Sequence, residues 1–143
     1  MKDNLILRII AKLLIPFIIL FALYVQFHGD YSPGGGFQAG VIFSSAFILY
    51  TLVFGKKTAE AVIPFNMLRW IASLGVLLYA GTGVVAMLKG GNFLAYSALA
   101  DNPVSGQHMG IILVELGVGM TVSSVMLLIF YVFVNRGCID EQS

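Results

Sequence analysis

Four runs of apolar residues, each about as long as a bilayer is thick, leave this chain few ways to fold. They cover roughly Leu5 to Phe27, Phe37 to Phe54, Leu68 to Leu88 and Met109 to Val134. A helix of ~18–25 residues, rising ~1.5 Å each, crosses a hydrocarbon core of ~30 Å. Backbone N–H and C=O groups find no water there, so segments that close their own hydrogen bonds are favoured, and helices do so. Hydrophobic residues make up 59% of the 143 and charged residues 10%, against about 25% charged in soluble domains. That is too little polar surface to clothe a water-soluble fold. The expected architecture is therefore an all-α integral membrane protein, a single domain over residues 1–143 with four transmembrane helices.

The first run is the least regular. Its uninterrupted apolar part, from Leu13, is about 15 residues, short of the ~20 a span needs. The turn carrying Arg8 and Lys12 is therefore expected to enter the membrane and to snorkel back to its surface. Pro16 bends a membrane helix only slightly when neighbours support it. No small-x-small cleavage pattern follows Phe27, so the segment reads as a retained first helix and not a signal peptide.

Charge sets the orientation. Lys2, Arg8 and Lys12 precede the uninterrupted apolar part of the first run, Lys56, Lys57 and Arg69 lie from the end of the second run to the first turn of the third, and Arg136 follows the fourth. The alternate side carries only Lys89. Positive charge collects on the cytoplasmic side during insertion, which places both termini in the cytoplasm. The glycines at 34–36 and the loop from Lys89 to His108 then lie outside. In that loop Asn92 is suited to cap a helix, and Phe93, Tyr96 and Leu99 are spaced for one apolar face. A short, half-buried interfacial helix is expected there, ended by Asn102-Pro103.

Several function classes drop out. A net charge of +1 provides no basic face for nucleic acid. The single cysteine, Cys138, permits neither an intrachain disulfide nor a thiolate cluster. Gly34-Gly35-Gly36 is followed by Phe37-Gln38 where a phosphate-binding loop needs Gly-Lys-Ser/Thr. His28, Asp30, Asp101 and His108 have no recognisable metal-ligand spacing and read as solvated rim residues, so no metal site and no cofactor are expected.

Two small-residue faces remain to be explained. Gly36, Gly40 and Ser44 fall four apart on the second run, a spacing that lets another helix approach closely inside lipid. Pro33 restricts the backbone just before the glycines, and Phe37 opens the span beside the polar Gln38. The bland alternative is a flexible hairpin loop. On the fourth run, Glu115 lies about six residues in from Met109, roughly 9 Å deep, with Gly119 and Ser123 continuing its face and Ser124 close by. A charged acid at membrane depth costs about 2.5–3.5 kcal/mol on insertion scales, so it is neutral, paired or beside a wet path. His108, two turns above, is about 10 Å away along the axis, and Lys12, counted from the other side, is too distant to pair with Glu115. Glu115, His108 and Lys12 are the candidates for an ion path or proton relay. An acid that merely holds a subunit interface is the equal alternative for Glu115.

Asp30-Tyr-Ser-Pro-Gly-Gly-Gly-Phe-Gln-Ala-Gly40 resembles the signature of the B subunit of Mrp/Mnh multisubunit cation/proton antiporters, Gly-His-Asn-x-Pro-Gly-Gly-Gly-Phe-x-Gly-Gly. Leu113-Val-Glu-Leu-Gly-Val118 is similar to the family's Leu-Phe-Asp-Ile-Gly-Val near the start of the last helix. Pro33, Gly34, Gly35, Gly36, Phe37 and Gly40 match directly. The family's His-Asn falls on Asp30-Tyr31, and Glu115 stands where Asp is common. The resemblance covers essentially the whole chain. It implies an auxiliary, required, non-enzymatic membrane subunit of a large hetero-oligomer that exchanges sodium or another monovalent cation for protons across the cytoplasmic membrane of a prokaryote. Its partners would be the other antiporter subunits, packed against the Gly36/Gly40/Ser44 and Glu115/Gly119/Ser123 faces. The alternative the resemblance leaves open is an accessory subunit of a related redox complex such as a membrane-bound hydrogenase, with all redox chemistry in partner chains. A homo-oligomeric channel is disfavoured, since no ring of polar pore residues repeats along the spans.

Overall fold

The computed structural model describes residues 5–29, 34–99 and 102–140. Pro33, and with it Asp30 and Tyr31 of the motif, lies outside the described residues. Among those described, five α-helices and one 3-10 turn account for the regular structure: α1 Leu5–Phe27, α2 Gly36–Phe54, α3 Lys56–Val62, α4 Phe65–Leu88, the turn Tyr96–Ala98, and α5 Pro103–Asp140. The fold is all-helical, and α1, α2, α4 and residues Pro103–Asn135 of α5 are long and apolar enough to cross a membrane. The chain is a multi-pass membrane protein.

Helix ends explain where the boundaries fall. Gly55, with φ of 91°, takes the left-handed turn between α2 and α3, and its N–H reaches back to Thr51 O at 2.9 Å. The sequence reading passed over α3, a short helix held by Ala59 against the core and by a Lys56–Glu60 ion pair of 3.3 Å. Pro64 sits at the N-cap of α4, so that helix starts at Phe65, one turn ahead of the apolar run at Leu68. Asn102-Pro103 was expected to close an interfacial helix and instead opens the last span. Asn102 Oδ1 accepts from Val104 N at 3.1 Å, and proline at the first helical position has no N–H to leave unpaired. Of the interfacial helix only Tyr96–Ala98 is helical.

The helices pack in the order α1–α2–α5–α4, with α1 touching α5 only lightly. Contacts along the interfaces show α2 and α5 running in parallel, since Gly36 meets Glu115 and Gly40 meets Gly119. Helix α4 runs the other way, with Gly75 against Thr121 and Gly117 against Tyr79. The α1–α2 connection and the α4–α5 loop thus share one end, the loop end. Arg8, Phe54 and α3 share the opposite, terminal end, where Ala59, Leu68, Leu127 and Tyr131 form a buried cluster.

Candidate functional site

Glycine is what brings α5 so close to its neighbours. A methyl group on Gly36 would overlap the backbone carbonyl oxygen of Glu115. One on Gly40 would stand 2.8 Å from Gly119 O and 3.2 Å from Ser123 N. On the other side of α5, a methyl on Gly75 would stand 2.6 Å from Gly117 O and 2.9 Å from Thr121 N, and one on Gly117 would stand 2.9 Å from Gly75 O. Small residues let backbones touch, and this contact supplies the dispersion that holds helices together in lipid. The last span is gripped on both sides through glycine.

The stripe expected to receive a foreign helix therefore meets the chain's own last helix. Gly36, Gly40 and Ser44 are buried, as are Gly119 and Ser123, and the two sets face each other. The sequence supplied both faces without showing that they were complementary, because four-residue spacing identifies a face and not its neighbour. Gly34 is half-buried and Gly35 buried at the mouth of α2, whereas Phe37 remains 64% exposed on its outer side.

The carboxyl group of Glu115 fits into the same joint. A methyl on Gly29, just past the end of α1, would overlap Glu115 Oε1; one on Gly35 would lie 3.2 Å from that oxygen. Gly35 is the N-cap of α2, its φ is 126°, and no side chain of its own caps the helix. The first intrahelical bond is Ala39 N to Gly35 O at 3.0 Å, which leaves the N–H groups of the first turn as the positive end of the helix dipole. An acid at that end is stabilised by about 0.3–1 kcal/mol at exposed sites and up to ~2 kcal/mol when partly buried. At the partly buried limit this offsets more than half of the ~2.5–3.5 kcal/mol insertion cost. Half-buried Glu115 thus stands where the end of α1, the start of α2 and the body of α5 converge.

Gln26 completes the joint and was missed from sequence. A methyl on Gly119 would stand 2.6 Å from Gln26 Oε1, so the amide of α1 reaches across to α5 one turn below Glu115. Its signal was an uncharged polar amide at the next-to-last position of α1, after a long apolar stretch. Beneath it, Ala22, Gly40, Phe43, Leu116, Met120 and Ser123 are among the residues lining a shallow groove of about 170 Å³.

The other two candidates stand apart. His108 is exposed on α5, two turns above Glu115. Lys12 is at the terminal end, its Nζ 5.9 Å from the Phe54 ring centroid, beside Arg8 at 5.5 Å from the same ring. Glu115 lies against the first residues of α2 and Phe54 is the last, so about 27 Å of helix separates the lysine from the acid. The two basic side chains lie against an aromatic face near the helix ends, as snorkelling groups do.

With this geometry in hand, comparison with known proteins is decisive. A family model described as a domain related to the MnhB subunit of Na+/H+ antiporter matches residues 6–128. The chain belongs to the MnhB family. Proteins that carry the name antiporter subunit mnhB2 in Staphylococcus aureus strains Newman, USA300 and COL are each 38% identical to it over 130 residues, covering 88% of this chain and 92% of theirs. The match takes in the Gly34–Gly36 motif, Glu115 and the Gly119/Ser123 face, so the joint described above lies within the MnhB region. Nothing in these matches supports the hydrogenase alternative.

Proposed function

We infer that this MnhB-family chain is an auxiliary membrane subunit of a multisubunit Na+/H+ antiporter in a prokaryotic cytoplasmic membrane, and that it acts by shape rather than by carrying ions itself. It is a transporter component and not an enzyme. Its partners are the other subunits of the antiporter, with sodium or another monovalent cation and protons as the transported ions.

One observation carries the reading of its role. The hydroxyls along the spans donate to carbonyls of their own helices: Ser44 to Val41 O at 2.8 Å, Thr51 to Phe47 O at 2.7 Å, Thr121 to Gly117 O at 2.8 Å, and Ser124 to Met120 O at 2.6 Å. Ser123 donates to Met120 O at 3.2 Å. None of these five hydroxyls donates to another, so their own bonds do not string together into a chain from Glu115 toward the terminal end. The acid instead fixes the α1–α2 connection on α5 and sets the surface that partner subunits meet.

Deleting the chain should abolish cation-driven proton movement in everted vesicles, together with loss of the assembled complex on native gels. Antiport that survives deletion contradicts the proposal. A second reading is favoured by Glu115 being half-buried and level with the α1–α2 connection, and makes the acid a stop on the ion path. Glu115→Gln separates the two. Retained exchange in an intact complex supports the shaping role, and lost exchange in an intact complex supports the ion path.

A further inference from the structure

The first turns of α4 carry a polar patch that the MnhB joint does not use. Asn66, Arg69, Trp70 and Ser73 follow one another at helical spacing and line a shallow cavity of about 290 Å³ on the outer face of the helix. All four are exposed, while Leu68 and Gly75 on the opposite face are buried against the rest of the protein. Inside a span this is the wrong surface to leave against acyl chains. The patch starts one residue into α4 at its terminal end, where a helix long enough to span would meet the lipid headgroups.

The chemistry of the cavity is one of donors. Arg69 presents a planar fork of N–H groups that matches phosphate oxygens in pairs. Asn66 adds an amide, and Trp70, 71% exposed, adds an indole N–H on an apolar ring suited to the membrane boundary. Ser73 donates its own hydroxyl proton to Arg69 O at 3.0 Å, which leaves it an acceptor. Among the described residues Arg69 makes no ion pair, and Glu60, the acid nearest to it in sequence, is engaged by Lys56 at 3.3 Å. Arg8, Lys12 and Lys57 add further positive charge at the same end of the molecule.

We propose that this patch binds the phosphate headgroup of an anionic membrane phospholipid, with Arg69 as the principal contact, Asn66 and Trp70 as flanking donors, and the acyl chains lying along the outer face of α4. Charge complementarity and the height of the patch select this occupant. An acidic side chain of a neighbouring subunit is the competing occupant.

The test uses the assembled complex in nanodiscs containing a photo-activatable phosphatidylglycerol or, separately, an equally labelled phosphatidylcholine. The label from phosphatidylglycerol should map to the peptide containing residues 66–73. It should fall roughly tenfold in Arg69→Gln, as expected from loss of a charge-assisted pair, and be largely kept in Arg69→Lys. Free inorganic phosphate should not compete. Three results overturn the proposal: equal labelling by phosphatidylcholine, labelling unchanged in Arg69→Gln, or a carboxylate of another subunit found cross-linked to the patch. Native-gel assembly and antiport are read on the same samples, so a failure of lipid binding stays distinguishable from a failure of the antiporter assignment.

Discussion

A single methyl group tests the contact on which the joint is built. Gly36→Ala places carbon against the backbone oxygen of Glu115, and backbone cannot rotate aside as a side chain would. The two helices must separate, at a cost of about 1–3 kcal/mol for overpacking, seen as a lower melting temperature of the purified complex or loss of the subunit from it. Gly81→Ala is the control. Nothing lies within 4 Å of the added carbon, and alanine is the better helix former, so stability should hold or rise slightly. Equal damage from both substitutions contradicts the close-contact account. At this scale the sequence was partly legible: the glycine motif announced a close approach and Glu115 announced a special environment. That one answers the other was not legible, nor were Gln26 and the Gly75–Gly117 contact, since each acquires meaning only from a neighbour far away in the chain.

Helices were easier to read than their ends. Apolar runs long enough to cross a bilayer leave little choice of secondary structure, and each of the four runs falls inside one long helix, the helices of the third and fourth starting earlier than the runs do. The misses came at capping residues and short pieces. Asn102-Pro103 reads as a stop if the preceding loop is taken for a helix, and as a start once Asn102 is seen to cap Val104. The seven residues of α3 are too few to announce themselves by periodicity. Asn102→Ala removes the cap and should cost about 0.5–2 kcal/mol, felt locally. Amide exchange should quicken over the first turn of α5 and stay unchanged around Gly119, and an unaltered first turn would show that the cap contributes nothing.

The molecule as a whole is built outward from α5. Helix α5 packs against both α2 and α4, whereas α1 and α4 carry rows of exposed apolar side chains, Leu13, Phe17 and Leu20 on α1 and Leu74 and Leu77 on α4, that are left for lipid or for other subunits. Phe37, the motif side chain that does not turn inward, adds to that outer surface. The glycine and acidic faces that looked from sequence like docking surfaces instead pack on each other as an inner seam of the chain. A density map of the assembled complex tests this most directly, read at the level of Gly36 and Glu115. The account predicts α2 and α5 of this chain in backbone contact there, with Gly40 on Gly119 one turn below. A helix of another subunit lying between them would contradict it.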